Sequence, residues 1–291
     1  MDAMLADSFA YCQQLAKLSG RNFYFSFLTL PRPMFRDMCA LYAFMRVTDD
    51  LGDDLSRSVA QRTAALRSWR GAIDAAIAGE PSSHPVVSAM MDVQRRYEIP
   101  VEYLHAVIRG VESDLGSARF ETFADLSNYC YHVAGAVGLC CIHIWGFDDA
   151  AALDRAVDCG LAFQLTNILR DLREDAQNDR VYLPQEDLVR FGYSEEDLRE
   201  GRINEQFREL MAFQVNRARS YYRQGGELHS LLKSPGRPIL AAMMGIYGRL
   251  LRRIEGLQYD VFTNRITLSR TTKLSVTAMS LLRPGRRPTV P

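Results

Sequence analysis

Apolar residues in this chain recur mostly at intervals of three and four, as in Leu41, Phe44, Met45 and again in Leu161, Leu165, Ile168, Leu169, Leu172, while strand-like alternation is scarce. A chain of 291 residues with that period must bury helix faces against one another, and it is long enough to fill a sizeable core. The predicted fold is therefore all-α. Punctuation at Pro31 to Pro33, Gly79 to Pro85, Pro100, Gly146 to Asp149, Asn178 to Pro184, Gly192 to Ser194 and Ser234 to Pro238 divides it into about 8 to 10 helices. None of these gaps has the length of an interdomain linker, so residues 1–281 are expected to form one helical domain. Residues 282–291, with three arginines and three prolines, read as a flexible basic tail, of which Arg283, Arg286 and Arg287 could lean on anionic lipid.

Thirty-five basic residues balance thirty-five acidic ones, which removes the overall attraction that a nucleic-acid binder carries. Any bound anion must be held by a local site. The six cysteines sit in apolar stretches without the paired spacing of a zinc site and read as reduced core residues. No signal peptide is visible, and no apolar stretch reaches the roughly 20 residues needed to span a bilayer. The expected location is the cytoplasm, with peripheral membrane contact the most that lipid would see.

Two acidic helix faces stand out. In Tyr42-Ala-Phe-Met-Arg46-Val-Thr-Asp49-Asp50-Leu-Gly-Asp53-Asp54, Asp49 and Asp53 are four apart and share a face with Arg46 one turn earlier. In Gln164-Leu-Thr-Asn167-Ile-Leu-Arg170-Asp171-Leu-Arg-Glu174-Asp175, three oxygen-bearing side chains fall at i, i+4 and i+8: Asn167, Asp171 and Asp175. Like charges at that spacing repel unless a divalent cation bridges them. The competing reading of both segments is a solvated, salt-bridged helix end. Two sparse acidic faces in one bundle suit magnesium, which prefers one or two carboxylates together with waters and phosphate oxygens. A calcium loop is excluded by the missing central glycine and terminal glutamate, and Gly135-Ala-Val-Gly138 is too short for a dinucleotide fingerprint.

With Tyr129-Cys-Tyr-His-Val-Ala-Gly-Ala-Val-Gly138 between these segments and Tyr182-Leu-Pro184 after them, the chain resembles the squalene/phytoene synthase family from about Phe23 to Lys273. The resemblance implies an isoprenoid synthase helical bundle with a central cavity, and a magnesium-dependent prenyltransferase that joins two prenyl diphosphates head to head. It implies metal binding by Asp49, Asp53, Asn167, Asp171 and Asp175, and phosphate contacts from Arg46, Arg170 and Arg265. It also implies cavity roles for Tyr42, Tyr129, Gln164 and Tyr182, with Tyr129 assisting proton loss. Where the family usually has a serine-rich stretch this chain reads Ser19-Gly20-Arg21-Asn22, whose Arg21 and Asn22 can still donate to phosphate oxygens. Phe27 is placed at the closed end of the substrate tunnel, where its ring would favour farnesyl over geranylgeranyl chains. The expected reaction is two farnesyl diphosphates to presqualene diphosphate, and onward to squalene or hydroxysqualene if a nicotinamide (NADPH), for which no motif exists, takes part. The alternatives are a phytoene synthase using geranylgeranyl diphosphate and a non-catalytic assembly factor of the same fold.

Overall fold

Each expected break coincides with a helix boundary in the computed structural model, which describes residues 3–116, 118–283, 285 and 291, with side chains described at all of these except 21–23. The helices are α1 (Ala3–Ser19), α2 (Arg21–Phe27), α3 (Arg32–Asp53), α4 (Val59–Ile77), α5 (Pro85–Arg96), α6 (Val101–Ser113) and α7 (Phe123–Cys130). A π-helical turn (Tyr131–Gly135) leads into α8 (Ala136–Trp145), α9 (Ala151–Gln177), α10 (Gln185–Phe191), α11 (Glu195–Glu200) and α12 (Glu205–Gly226). The chain continues through α13 (Leu228–Leu231), α14 (Gly236–Gly256) and α15 (Arg270–Leu282). That is 15 α-helices among the described residues, more than the 8 to 10 expected. The extra boundaries use polar caps where no proline or glycine marks them. Ser58 with Gln61 and Thr122 with Asp125 form reciprocal capping boxes ahead of α4 and α7, while Asn204 and Ser269 cap α12 and α15. Leu282, placed at the start of the tail, is the last residue of α15.

Among the described residues there is no strand, only an isolated antiparallel bridge between Phe147 and Leu232. The spine is α9, which packs along α12 and backs onto the π turn and α8. Its expected stripe of Leu161, Leu165, Ile168, Leu169 and Leu172 is buried throughout. Glycine at 160 makes the approach to the π turn feasible, because a Cβ there would lie 2.6 Å from the Ala134 carbonyl oxygen and 2.7 Å from the Gly135 nitrogen.

The other wall of the bundle is α3, held at both ends. Near its start the fully buried Asp37 takes two 2.8 Å hydrogen bonds from the Arg96 guanidinium and one from the Tyr97 hydroxyl, which tie α3 to α5. Near its end Trp69 Nε1 donates to Thr48 Oγ1 at 2.9 Å and Arg62 donates to the Gly52 carbonyl at 2.8 Å. Gly52 is buried inside α3, where a Cβ would meet Val111 of α6 at 2.3 Å. All six cysteines are buried thiols. Burial pushes Cys12, Cys39 and Cys141 up to about 12 and the other three higher still, which leaves them protonated and unreactive.

Candidate active site

Between these two walls opens a cavity of about 1590 Å3. Arg46 and Asp49 of α3 and Gln164, Asn167, Arg170 and Asp171 of α9 line it, so the two acidic segments, about 120 residues apart in sequence, face a common space. Phe27 and Tyr42 also line it, edge-on to each other with ring centroids 6.3 Å apart, and Phe27 is only 3% exposed. The non-helical stretch from Val261 to Leu268 supplies a further part of the wall and carries Arg265 into it. Arg173 donates to the Phe262 carbonyl at 2.7 Å and ties that stretch to α9. Phe44, on α3, is core, fully buried against Trp69. The side chains of Arg21 and Asn22, and residues Arg286 and Arg287, lie outside the described residues.

Each acidic face divides its carboxylates between two environments. On α3, Asp49 is open to the cavity, yet the protein packed around it and then the neighbouring Asp53 carboxylate push its carboxyl up to about 7. Arg46 does not pair with it: its guanidinium reaches Asp50, four residues on, at 2.5 Å. Asp53 stands one turn further out, 66% exposed, with Arg180 at 3.5 Å. On α9, Asp171 is gripped by Arg170 in a two-point contact of 2.8 and 2.5 Å. Asp175, one turn on, is pushed up to about 7 by burial and then by Asp171. Arg180, in the loop after α9, therefore links the far face to Asp53 of α3.

Tyr129 and Tyr182, given cavity roles on resemblance, do not line this cavity; each is 6% exposed in a layer behind it. Their hydroxyls donate to the two oxygens of one carboxylate, Tyr129 to Asp114 Oδ2 at 2.9 Å and Tyr182 to Oδ1 at 3.1 Å. The Phe120 ring closes the cluster, 5.2 Å from Tyr129 and 6.0 Å from Tyr182. Burial raises the Asp114 carboxyl, and burial followed by the Asp114 charge raises Tyr129 well above the usual phenol range, so Tyr129 is a neutral donor near neutral pH. Sequence reasoning missed Asp114 and Arg180. Asp114 follows α6 in a polar run, and its partners lie 15 and 68 residues away, so no local spacing marks it. The π turn immediately after Tyr129 and Cys130 is a local irregularity at the site, a feature that often accompanies function.

The residues fit a hard divalent cation. Asn167 Oδ1 is buried and has no hydrogen-bond partner among the described residues, an orphaned acceptor beside Asp171 on the cavity wall. Asp49 and Asp175 resist ionisation in this setting, a penalty that a bound cation reverses. The donors are carboxylate and amide oxygens without thiolate or imidazole, the set that magnesium takes. Among the described residues no three His, Cys, Asp or Glu side chains gather into a ready-made cage. That leaves coordination positions for water and phosphate oxygens.

Comparison with known proteins gives the family. The family model for squalene/phytoene synthase matches residues 16–272. The 15-cis-phytoene synthase of Synechococcus elongatus is 35% identical over 97% of this chain and 94% of that protein. Phytoene synthase 1 of Arabidopsis thaliana chloroplasts is 31% identical over 94% of this chain and 66% of that protein. Among solved structures, a dehydrosqualene synthase in complex with a ligand superposes with a TM-score of 0.88 at 30% identity, covering 95% of this chain and 96% of that one. The squalene synthase HpnC of Alicyclobacillus acidocaldarius superposes with a TM-score of 0.83 at 27% identity, covering 89% and 97%. With the acidic faces, the cavity and the matched length all in agreement, the chain belongs to the squalene/phytoene synthase family of prenyltransferases that condense prenyl diphosphates head to head.

Proposed function

We propose that this member of the family condenses two farnesyl diphosphates to presqualene diphosphate with release of diphosphate. The observation that carries the reaction is the meeting of Asp49, Asn167 and Asp171 on the wall of one cavity that continues into an apolar space. Asp49, Asp53, Asn167, Asp171 and Asp175 would hold magnesium, which when bound would supply neutralisation of the diphosphate charge. Arg46, Arg170 and Arg265 reach phosphate oxygens and hold the two head groups side by side. The apolar wall, with Phe163 and Tyr247 tilted together at 4.8 Å, keeps water from the allylic cation. Breaking a C–H bond supplies the electron pair that closes the cyclopropane ring, an oxygen of the released diphosphate takes the proton, and the Tyr129 hydroxyl, oriented by Asp114 behind the cavity wall, assists that transfer.

The preference for fifteen-carbon chains rests on Phe27, whose ring fills cavity space against Tyr42. A second reading, two geranylgeranyl diphosphates to phytoene, is favoured by relatives named phytoene synthase at up to 35% identity. Incubating the purified protein with magnesium and each prenyl diphosphate, with and without reduced nicotinamide, separates them by product. Phe27→Ala sharpens that test. Emptying such a site costs about 3 to 5 kcal/mol if it stays empty, and a longer tail recovers about 0.8 kcal/mol per buried methylene. The ratio of turnover on the twenty-carbon to the fifteen-carbon substrate should rise about tenfold or more in the variant. An unchanged ratio returns Phe27 to the core and leaves the phytoene reading ahead.

A further inference from the structure

In a chain of zero net charge, residues 8–36 contain four basic residues and no acidic one, and residues 261–291 contain six basic residues and no acidic one. The fold brings these acid-free segments together. Helix α2 packs on α14 and α15, and Thr277 Oγ1 of α15 contacts the Phe25 carbonyl at 3.4 Å. Lys17 and Leu18 from the end of α1, and Arg270 and Lys273 from α15, line the same cavity as the acidic faces, so the joined segments form part of its rim.

That rim is studded with exposed apolar side chains. Leu18 is 77% exposed, Leu28 beyond α2 is 46%, and α15 presents Leu274, Met279, Leu281 and Leu282, the last at 77%. On α15 the buried residues Val276, Thr277 and Ser280 face the bundle, while Arg270, Leu274 and Leu281 recur at i, i+4 and i+11 along the outer side. Basic residues interleaved with leucines on an outward helix face match the charge and apolarity of an anionic lipid surface. No helix among the described residues is long and apolar enough to cross a membrane, so contact from this side would be superficial.

We propose that the rim built from the end of α1, the α2–α3 junction and the outer face of α15 docks the protein on an anionic lipid bilayer. Given the proposed function, on which this clause alone rests, the cavity rim would then lie against the phase that takes up a long hydrocarbon product.

The test uses the full chain without substrate, so its outcome is independent of what the enzyme makes. Co-sedimentation is measured with phosphatidylcholine vesicles and with vesicles that also contain phosphatidylglycerol. Binding should be strong only to the second and should fall steeply as salt is raised. The triple variant Leu274→Ser, Leu281→Ser, Leu282→Ser removes exposed side chains that do not line the cavity, so its melting temperature and its turnover in detergent should match wild type. Its vesicle binding should drop at least tenfold, and Arg283→Ser alone should cost about fivefold. Equal binding to both vesicles, no binding to either, or wild-type binding by the triple variant overturns the proposal. So does a dimer in solution that the triple variant dissociates without vesicle binding, which would assign the face to a second copy of the chain.

Discussion

The two acidic faces meet in one cavity but are built on opposite plans. On α9 the polar stripe runs along the central helix of the bundle, and Asp171, which with Glu174 lines the cavity, is already neutralised by Arg170. On α3 the acids occupy the last turns of a helix that ends at Asp53, and the lining acid, Asp49, has no such partner and is held near 7. The strained carboxylate is thus the inner one on α3 and the outer one, Asp175, on α9. A cation at Asp49 would relieve an electrostatic penalty, whereas one at Asp171 must compete with an arginine. The faces should therefore respond differently to the same perturbation.

The largest effect is expected from removing either lining acid. Asp49→Ala and Asp171→Ala should each lower kcat/KM by about a thousandfold or more, because each deletes charge neutralisation that the leaving diphosphate requires. They should part company in substrate affinity. Asp171→Ala releases Arg170 to bind phosphate, so KM should rise less there than in Asp49→Ala. Steady-state kinetics at saturating magnesium decides, and near wild-type turnover in either variant breaks the two-face assignment.

Next in size is the layer that joins the faces. Asp114 feels the charges of Asp53 and Arg180 and orients Tyr129 and Tyr182. Tyr129→Phe keeps the ring and should lower kcat about a hundredfold with KM nearly unchanged. Asp114→Asn should reproduce most of that loss, and the double variant should be scarcely worse than either single one, since the two side chains act together. Additive losses would show that Asp114 has a separate role.

The outer acids should show a milder, metal-dependent defect. Asp53→Asn and Asp175→Asn should raise the magnesium concentration for half-maximal rate about tenfold while leaving the rate at high magnesium within reach of wild type. Asp175→Asn should be the weaker of the two, because it also relieves repulsion on Asp171. A magnesium titration that leaves both variants at the wild-type midpoint excludes them as ligands.

These contrasts also mark what the sequence could and could not convey. The stripe Asn167, Asp171, Asp175 was readable because a 3.6-residue period turns spacing into geometry on one helix, and α9 is one helix throughout. Breaks at proline and glycine were readable for the same local reason. Boundaries made by capping side chains at Ser58, Thr122, Asn204 and Ser269 were not, since those residues are equally common in loops. Arg46 was readable as a neighbour of Asp49, yet its guanidinium pairs with Asp50, at i+4, which spacing alone does not single out from Asp49 at i+3. Asp114 and Arg180 were invisible because their partners come from other elements. Proximity in space, unlike position on a helix face, leaves no period in a single sequence.

The smallest effect, and the one that isolates the electrostatics from the chemistry, is the pH dependence of stability without metal. Desolvation and a neighbouring carboxylate raise Asp49 and Asp175 in the folded chain to about 7, from the ordinary carboxylate value of 3.8 that holds when unfolded. Between those values the native state keeps protons that the unfolded chain has released, so the stability these groups contribute falls as pH rises. It is fully present below about pH 4 and lost by about pH 8. The double variant Asp49→Asn, Asp175→Asn mimics the protonated pair at every pH. In chelator it should melt a few degrees above wild type at about pH 8, and the difference should vanish as the pH falls toward 4. Magnesium should close the gap at the higher pH by stabilising the ionised wild-type carboxylates, and should act much less on the variant, which keeps only Asp53, Asn167 and Asp171. A pH-independent difference would mean that the variant gains through packing. A gap that magnesium fails to close would mean that the two faces do not hold the cation.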